Sequence, residues 1–111
     1  VNKPRLTLAR SGAALLLLAA AGAALAQANA GRDKARACAA CHGPLGIAVL
    51  PMAPNLAGQP EAYLVEQLKA YRSGKRAHEM MTLIAKPLSD EDISLVAGWY
   101  ASLLVEARER P

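Results

Sequence analysis

Phenylalanine is absent from this chain of 111 residues, and its aromatic residues are Tyr63, Tyr71, Trp99 and Tyr100 alone. A small domain with so little aromatic mass has few large side chains with which to fill a core. Cysteine is almost missing as well: Cys38 and Cys41 are the only two, which excludes a scaffold held by several disulfides. Histidine is confined to His42 and His78. A four-ligand zinc site built on a second C-x-x-C or an H-x-x-x-H pair therefore has nothing to draw on. No Ser/His/Asp set and no phosphate-binding glycine loop is visible. No strand-periodic segment offers the βαβ context of a thioredoxin-like C-x-x-C.

The excess of positive charge is only apparent. The formal net charge is +4, but Lys3, Arg5 and Arg10 precede a wholly uncharged stretch from Ser11 to Ala30, centred on Leu15 to Leu18. That stretch ends in Ala26-Gln27-Ala28, with Ala28-Asn29-Ala30 as a second small-x-small site. A basic start, an apolar middle and an A-x-A end, in that order, are the layout of a secretory signal peptide. Residues 1–28 are therefore expected to be a cleaved leader, and residues 29–111 an exported, periplasmic domain. About 20 apolar residues would also just cross a bilayer, but the small residues and the cleavage site favour removal, so no stable membrane insertion is expected. With three of the thirteen Lys and Arg gone, ten basic residues face nine acidic ones. No basic helix with interleaved aromatics supports nucleic-acid binding.

The run Cys38-Ala39-Ala40-Cys41-His42 carries the chemistry. Two thiols three positions apart, followed at once by an imidazole, form the C-x-x-C-H pattern of covalent haem c attachment. On a short helical turn both thiols share a face and can each form a thioether to a haem vinyl group, which leaves His42 beside the iron as proximal ligand. One covalently attached haem c would also supply the apolar mass that the composition lacks, and the apoprotein is expected to be largely unfolded.

The remaining sequence reads as three helices and two long loops. The first helix is expected from about Gly31 into the haem motif, stopped by Gly43 and Pro44. A loop follows to Gln59, rich in Gly and Pro yet holding Leu45, Ile47, Val49, Leu50 and Leu56, so it must pack on something apolar. The second helix starts with Pro60 at its first position and ends before Gly74. The stretch from Lys75 to Leu88 reads as the second loop. The third helix has Ser89 as N-cap, Asp90, Glu91 and Asp92 in its first turn, and an approximate capping box; its periodicity runs to about Val105. For the second axial position on the iron, Met81, Met80, Met52 and His78 are the side chains at hand. A methionine suits an electron carrier because its thioether stabilises ferrous iron, and Met52 lies only ten residues from His42.

From Arg36 to Leu103 the chain resembles the small bacterial class I cytochromes c, both the single-haem periplasmic carriers and one half of the dihaem proteins. The residues that carry the likeness are Cys38-Ala39-Ala40-Cys41-His42-Gly43, then Pro54-Asn55-Leu56-Ala57-Gly58-Gln59. Tyr63-Leu64, Gln67-Leu68, Gly74, and Met81 through Ala85 to Pro87-Leu88-Ser89-Asp90 complete them. The resemblance implies an all-α cytochrome c fold, three main helices and two long loops wrapped around one haem. It implies Met81 as sixth ligand, since the family's axial methionine lies eight residues before the serine of the L-S-D helix start. It implies that the Pro54 carbonyl accepts the Nδ1–H of His42 and fixes the ring. Trp99 or Tyr100 is expected where the first and last helices cross.

By the same resemblance the protein is expected to be a one-electron carrier and not an enzyme, cycling Fe(II)/Fe(III). Its partners would be a periplasmic dehydrogenase, a quinol-oxidising complex or a terminal oxidase. Arg72, Lys75, Arg76 and Lys86 flank the methionine loop and are expected either as a basic docking rim or as an ordinary solvated loop. Two other roles remain open: a haem subunit bound to a dehydrogenase, and a sensor or peroxidase-like protein with an open sixth site.

Overall fold

The computed structural model describes the backbone of residues 8–109 and the side chains of residues 16–109. Lys3 and Arg5 of the expected leader lie outside the described residues. The elements are helical throughout, with no strand among the described residues: α1 (Leu8–Lys34), a 3-10 turn (Ala35–Cys38), α2 (Ala39–His42), α3 (Glu61–Ser73), α4 (Glu79–Ala85) and α5 (Asp90–Ala101).

Helix α1 is one continuous element with two environments. Leu16, Leu17, Leu18 and Leu25 are each at least two-thirds exposed. This projecting half stretches the molecule to 77 Å and its radius of gyration to 20.2 Å, against about 13 Å for a compact chain of this length. From Gly31 onward the same helix is packed on α5. A Cβ at Gly31 would run into the Leu95 carbonyl oxygen and lie 3.0 Å from the Trp99 Cβ, so the two backbones can approach here only because the residue is glycine. Among the described residues, no helix is long and apolar enough to cross a membrane.

Helix α5 is set by its caps. Ser89 Oγ accepts the Asp92 N–H at 3.0 Å, and Asp92 Oδ2 accepts the Ser89 N–H at 3.0 Å. The capping box is therefore complete, with Asp in place of the usual Glu or Gln. Lys34 Nζ reaches Asp92 Oδ1 at 2.7 Å and ties the end of α1 to the start of α5. The helix stops at Ala101, short of Val105: Ser102 Oγ donates to the Trp99 carbonyl at 2.7 Å, and its amide bonds back to Gly98 and Trp99. That tightens the last turn and satisfies carbonyls the helix leaves free.

Helix α3 begins one residue later than expected. Pro60 is the N-cap, with an extended ψ of 132°, and Gly74 closes the other end in the left-handed region at φ 80°. The three helices enclose a small core of Ala35, Leu64, Val96, Ala97 and Tyr100, with Leu56, Val65, Leu68, Trp99 and Leu103 at its edge. Of the two expected aromatics, Tyr100 is in this core at 1% exposure, while Trp99 packs beside Gly31 with the Arg32 guanidinium 5.9 Å from its ring.

The second loop needs correcting. Within it the structure forms α4, a helix of seven residues. Met80, Met81, Leu83 and Ala85 are good helix formers, Glu79 sits in the first turn, and two turns are too short for helical periodicity to register in the sequence.

Candidate functional site

The motif lies where the 3-10 turn passes into α2. Cys38 is the N-cap of α2, His42 is its last residue, and Gly43 ends it. Both cysteines are free thiols and half-buried. Burial pushes the Cys38 thiol above its ordinary pKa; the Tyr100 hydroxyl only partly offsets this, and the neighbouring Cys41 adds to it. The Tyr100 hydroxyl is itself raised, by burial and by Cys38, and donates toward the Ala35 carbonyl at 3.5 Å. The last core aromatic thus touches the first cysteine.

After α2 the chain folds back under the motif. The Cys41 carbonyl accepts the Val49 and Leu50 amides at 3.0 and 3.3 Å. The Gly46 carbonyl accepts those of Leu56 and Ala57 at 2.8 and 3.1 Å, and Asn55 Oδ1 accepts the Ala48 amide at 2.8 Å. Gly46 makes this pinch possible. Its φ is +72°, and a Cβ there would stand 2.7 Å from the Ala57 nitrogen and 2.8 Å from Tyr100 Cδ1. The closed loop returns Pro54 to the motif, with its carbonyl 2.8 Å from His42 Nδ1. His42 is 5% exposed. Because a carbonyl only accepts, Nδ1 carries the proton and the lone pair is on Nε2, the nitrogen free to bind a metal.

Beside Cys38 lies an open cleft of about 370 Å³, bounded by Leu83, Ile84, Pro87, Leu88 and Val96, with the Lys34–Asp92 ion pair at its wall. Large apolar side chains gather on both loops without cover: Leu45, Ile47, Val49 and Leu50 on the first, Met80, Leu83 and Ile84 on the second, between 37% and 65% exposed. Two free thiols at haem spacing, an imidazole pinned through Nδ1 and a set of uncovered aliphatics fit a covalently held porphyrin. Among the described residues, no three Cys, His, Asp or Glu side chains gather into a metal cluster.

The structure places the four candidates for the sixth ligand differently from one another. Met81 is half-buried on α4 and Met80 is 53% exposed beside it, whereas Met52 stands 91% exposed on the first loop. His78 is the N-cap of α4, and its Nδ1 accepts the Met81 N–H at 3.3 Å. Sequence reasoning missed this cap; Glu79 and Thr82 were the available signals. The basic rim divides. Arg72 donates to the Leu88 carbonyl at 2.9 Å and pairs with Asp90 at 2.6 Å, and Arg76 bonds Gln67 and covers the Tyr71 ring. Arg72 and Arg76 thus bond within the chain, and Arg76, like Lys75 and Lys86, is exposed.

A family model for cytochrome c matches residues 19–103. The chain is 47% identical over 78 residues to cytochrome c-554(548) of Halomonas halodenitrificans, covering 68% of this chain and 94% of that protein. It is 40% identical over 85 residues to the thiosulfate dehydrogenase electron acceptor of Stutzerimonas stutzeri, 74% of this chain and 39% of that one. Among solved structures it is similar to reduced recombinant cytochrome c4 from Pseudomonas stutzeri, with a TM-score of 0.65 and 37% identity, over 69% of this chain and 45% of the other. The chain thus spans nearly all of the first relative and less than half of the other two.

Proposed function

This chain belongs to the cytochrome c family, whose members transfer electrons through a covalent haem c, and on that premise we propose a periplasmic one-electron carrier with histidine–methionine ligation. The observation that carries the reading is the His42 Nδ1 to Pro54 carbonyl distance of 2.8 Å, which sets the proximal ring beside two free thiols at haem spacing. The haem, when bound, supplies the Fe(II)/Fe(III) couple. Cys38 and Cys41 would tether it, and His42, with its orientation fixed by Pro54, and Met81, with its soft thioether, would be its ligands. The aliphatics of both loops exclude water. The leader, residues 1–28, directs export and is removed.

The test is the ferric optical spectrum of the protein matured with haem. The weak red-region sulfur-to-iron band is expected in the parent and in Met80→Ala, and is expected to vanish in Met81→Ala. Survival of the band in Met81→Ala removes Met81 as ligand. A second reading draws on the relative named as a thiosulfate dehydrogenase electron acceptor: this chain would dock to, or belong to, a periplasmic dehydrogenase. Elution of the same preparation with a larger partner distinguishes that subunit from a free carrier.

A further inference from the structure

The geometry points to His78 as a positioning residue, whose ring caps α4 and so sets where Met81 presents its sulfur. This inference rests on Met81 being the sixth ligand. His78 enters α4 in an extended conformation, φ −158° and ψ 130°. Its Nδ1 accepts the Met81 N–H at 3.3 Å, its own N–H donates to Thr82 Oγ1 at 3.1 Å, and its carbonyl accepts the Thr82 N–H at 2.9 Å. These three bonds cross the first turn in both directions, in the manner of a capping box. A helix of seven residues is far too short to hold itself in water, so its ends decide where it lies.

Both ends are fastened to α3. At the start, the His78 ring stands edge-on to Tyr71, centroids 6.5 Å apart and planes at 76°. Tyr71 is buried, and the Arg76 guanidinium covers its ring at 4.7 Å. At the far end Arg72 holds the Leu88 carbonyl. The methionine segment is therefore clamped between a ring and a guanidinium from one helix. The same bond argues against His78 as an iron ligand. A neutral imidazole that accepts at Nδ1 carries its proton on Nε2 and has no second lone pair to give.

The experiment uses ferric holoprotein and titrates in imidazole, which must displace Met81 to reach the iron. His78→Ala is expected to raise the apparent imidazole affinity about five-fold, which is about 1 kcal/mol by the tenfold-per-1.4 conversion and the size of a helix cap. His78→Asn, whose side-chain oxygen can take the same Met81 amide, is expected to stay within about two-fold of the parent. Ser89→Ala removes the equivalent cap from α5 and is expected to lower the unfolding midpoint without changing imidazole affinity. Amide exchange at Met81 is expected to quicken in His78→Ala and not in Ser89→Ala. If His78→Asn is as impaired as His78→Ala, the ring does something other than cap, and the proposal fails. It fails equally if Ser89→Ala raises the affinity as much, since His78 then acts only through overall stability. A red band that survives Met81→Ala overturns the ligand reading instead, and exchange at Met81 still reports whether the cap exists.

Discussion

Where α1, α3 and α5 meet, the chain closes on itself: Ala97 is fully buried, and Val96 and Tyr100 nearly so. Around Cys38 and Cys41 it does not. Leu45, Ile47, Val49, Leu50, Met80, Leu83 and Ile84 hold more than a third of their surface open on the two segments that flank the motif. Full burial of one such aliphatic stabilises by roughly 1.5–3 kcal/mol, so seven partly uncovered on these two segments are a large term for a small protein. The packed side is built from helix propensity, caps and a glycine crossing. The open side is shaped by hydrogen bonds that return Pro54 to His42 and by a short helix clamped at its ends. The first specifies a frame, the second a cradle for something apolar.

The strongest way to break this contrast is to remove the tether. Cys38→Ser with Cys41→Ser is expected to abolish covalent haem, read as loss of haem absorbance from the denatured chain. It is also expected to abolish the cooperative thermal transition followed by circular dichroism, because a domain of about 80 residues with so small a core sits near the limit of independent stability. A variant that keeps a sharp transition without haem would show that the packed side suffices alone.

Substitutions on each side should then differ in kind. Tyr100→Ala empties the centre of the packed side and is expected to cost about 3–5 kcal/mol in denaturant unfolding of the holoprotein. Tyr100→Phe, which loses only the hydroxyl beside Cys38 and Ala35, should cost about 1 kcal/mol. Met52→Ala, at a side chain 91% exposed, should stay within about 0.5 kcal/mol. Comparable losses at Tyr100 and Met52 would mean that the first loop is covered far more than the structure shows.

The two sides were not equally legible in the sequence. Ser89 with Asp92, Gly74 and the apolar positions of α5 are short-range signals, and the frame follows from them. The C-x-x-C-H run states its chemistry within five residues. The end of α5 at Ala101 was not readable, because it depends on a side-chain hydroxyl bonding its own last turn. Helix α4 was hidden for a different reason: its position comes from Tyr71 and Arg72 on another element, and its cap is a histidine, which sequence reasoning weighs as a ligand or a solvated loop residue. The intrachain bonds of Arg72 and Arg76 were not legible either, since positive charge looks the same in a sequence whether it meets a partner or the chain's own acceptors.

The smallest expected effect comes from surface charge at the start of α5. The Lys34 ammonium, and then the Ser89 amide, hold the Asp92 carboxyl below its usual pKa of 3.8. Arg72 and then Lys69 do the same for Asp90. A carboxyl whose pKa is lower folded than unfolded binds fewer protons in the native state, so its stabilisation is complete above pH 3.8 and fades as the pH falls through the lower folded value. The urea midpoint of the holoprotein is therefore expected to drop on acidification below that pH, and Asp92→Asn should make the drop shallower while lowering the neutral-pH midpoint slightly. Added salt should shrink that difference, because exposed pairs are screened. If Asp92→Asn leaves the acid limb unchanged, the tie from Lys34 to the start of α5 contributes nothing measurable, and the packed side rests on its apolar core and its caps alone.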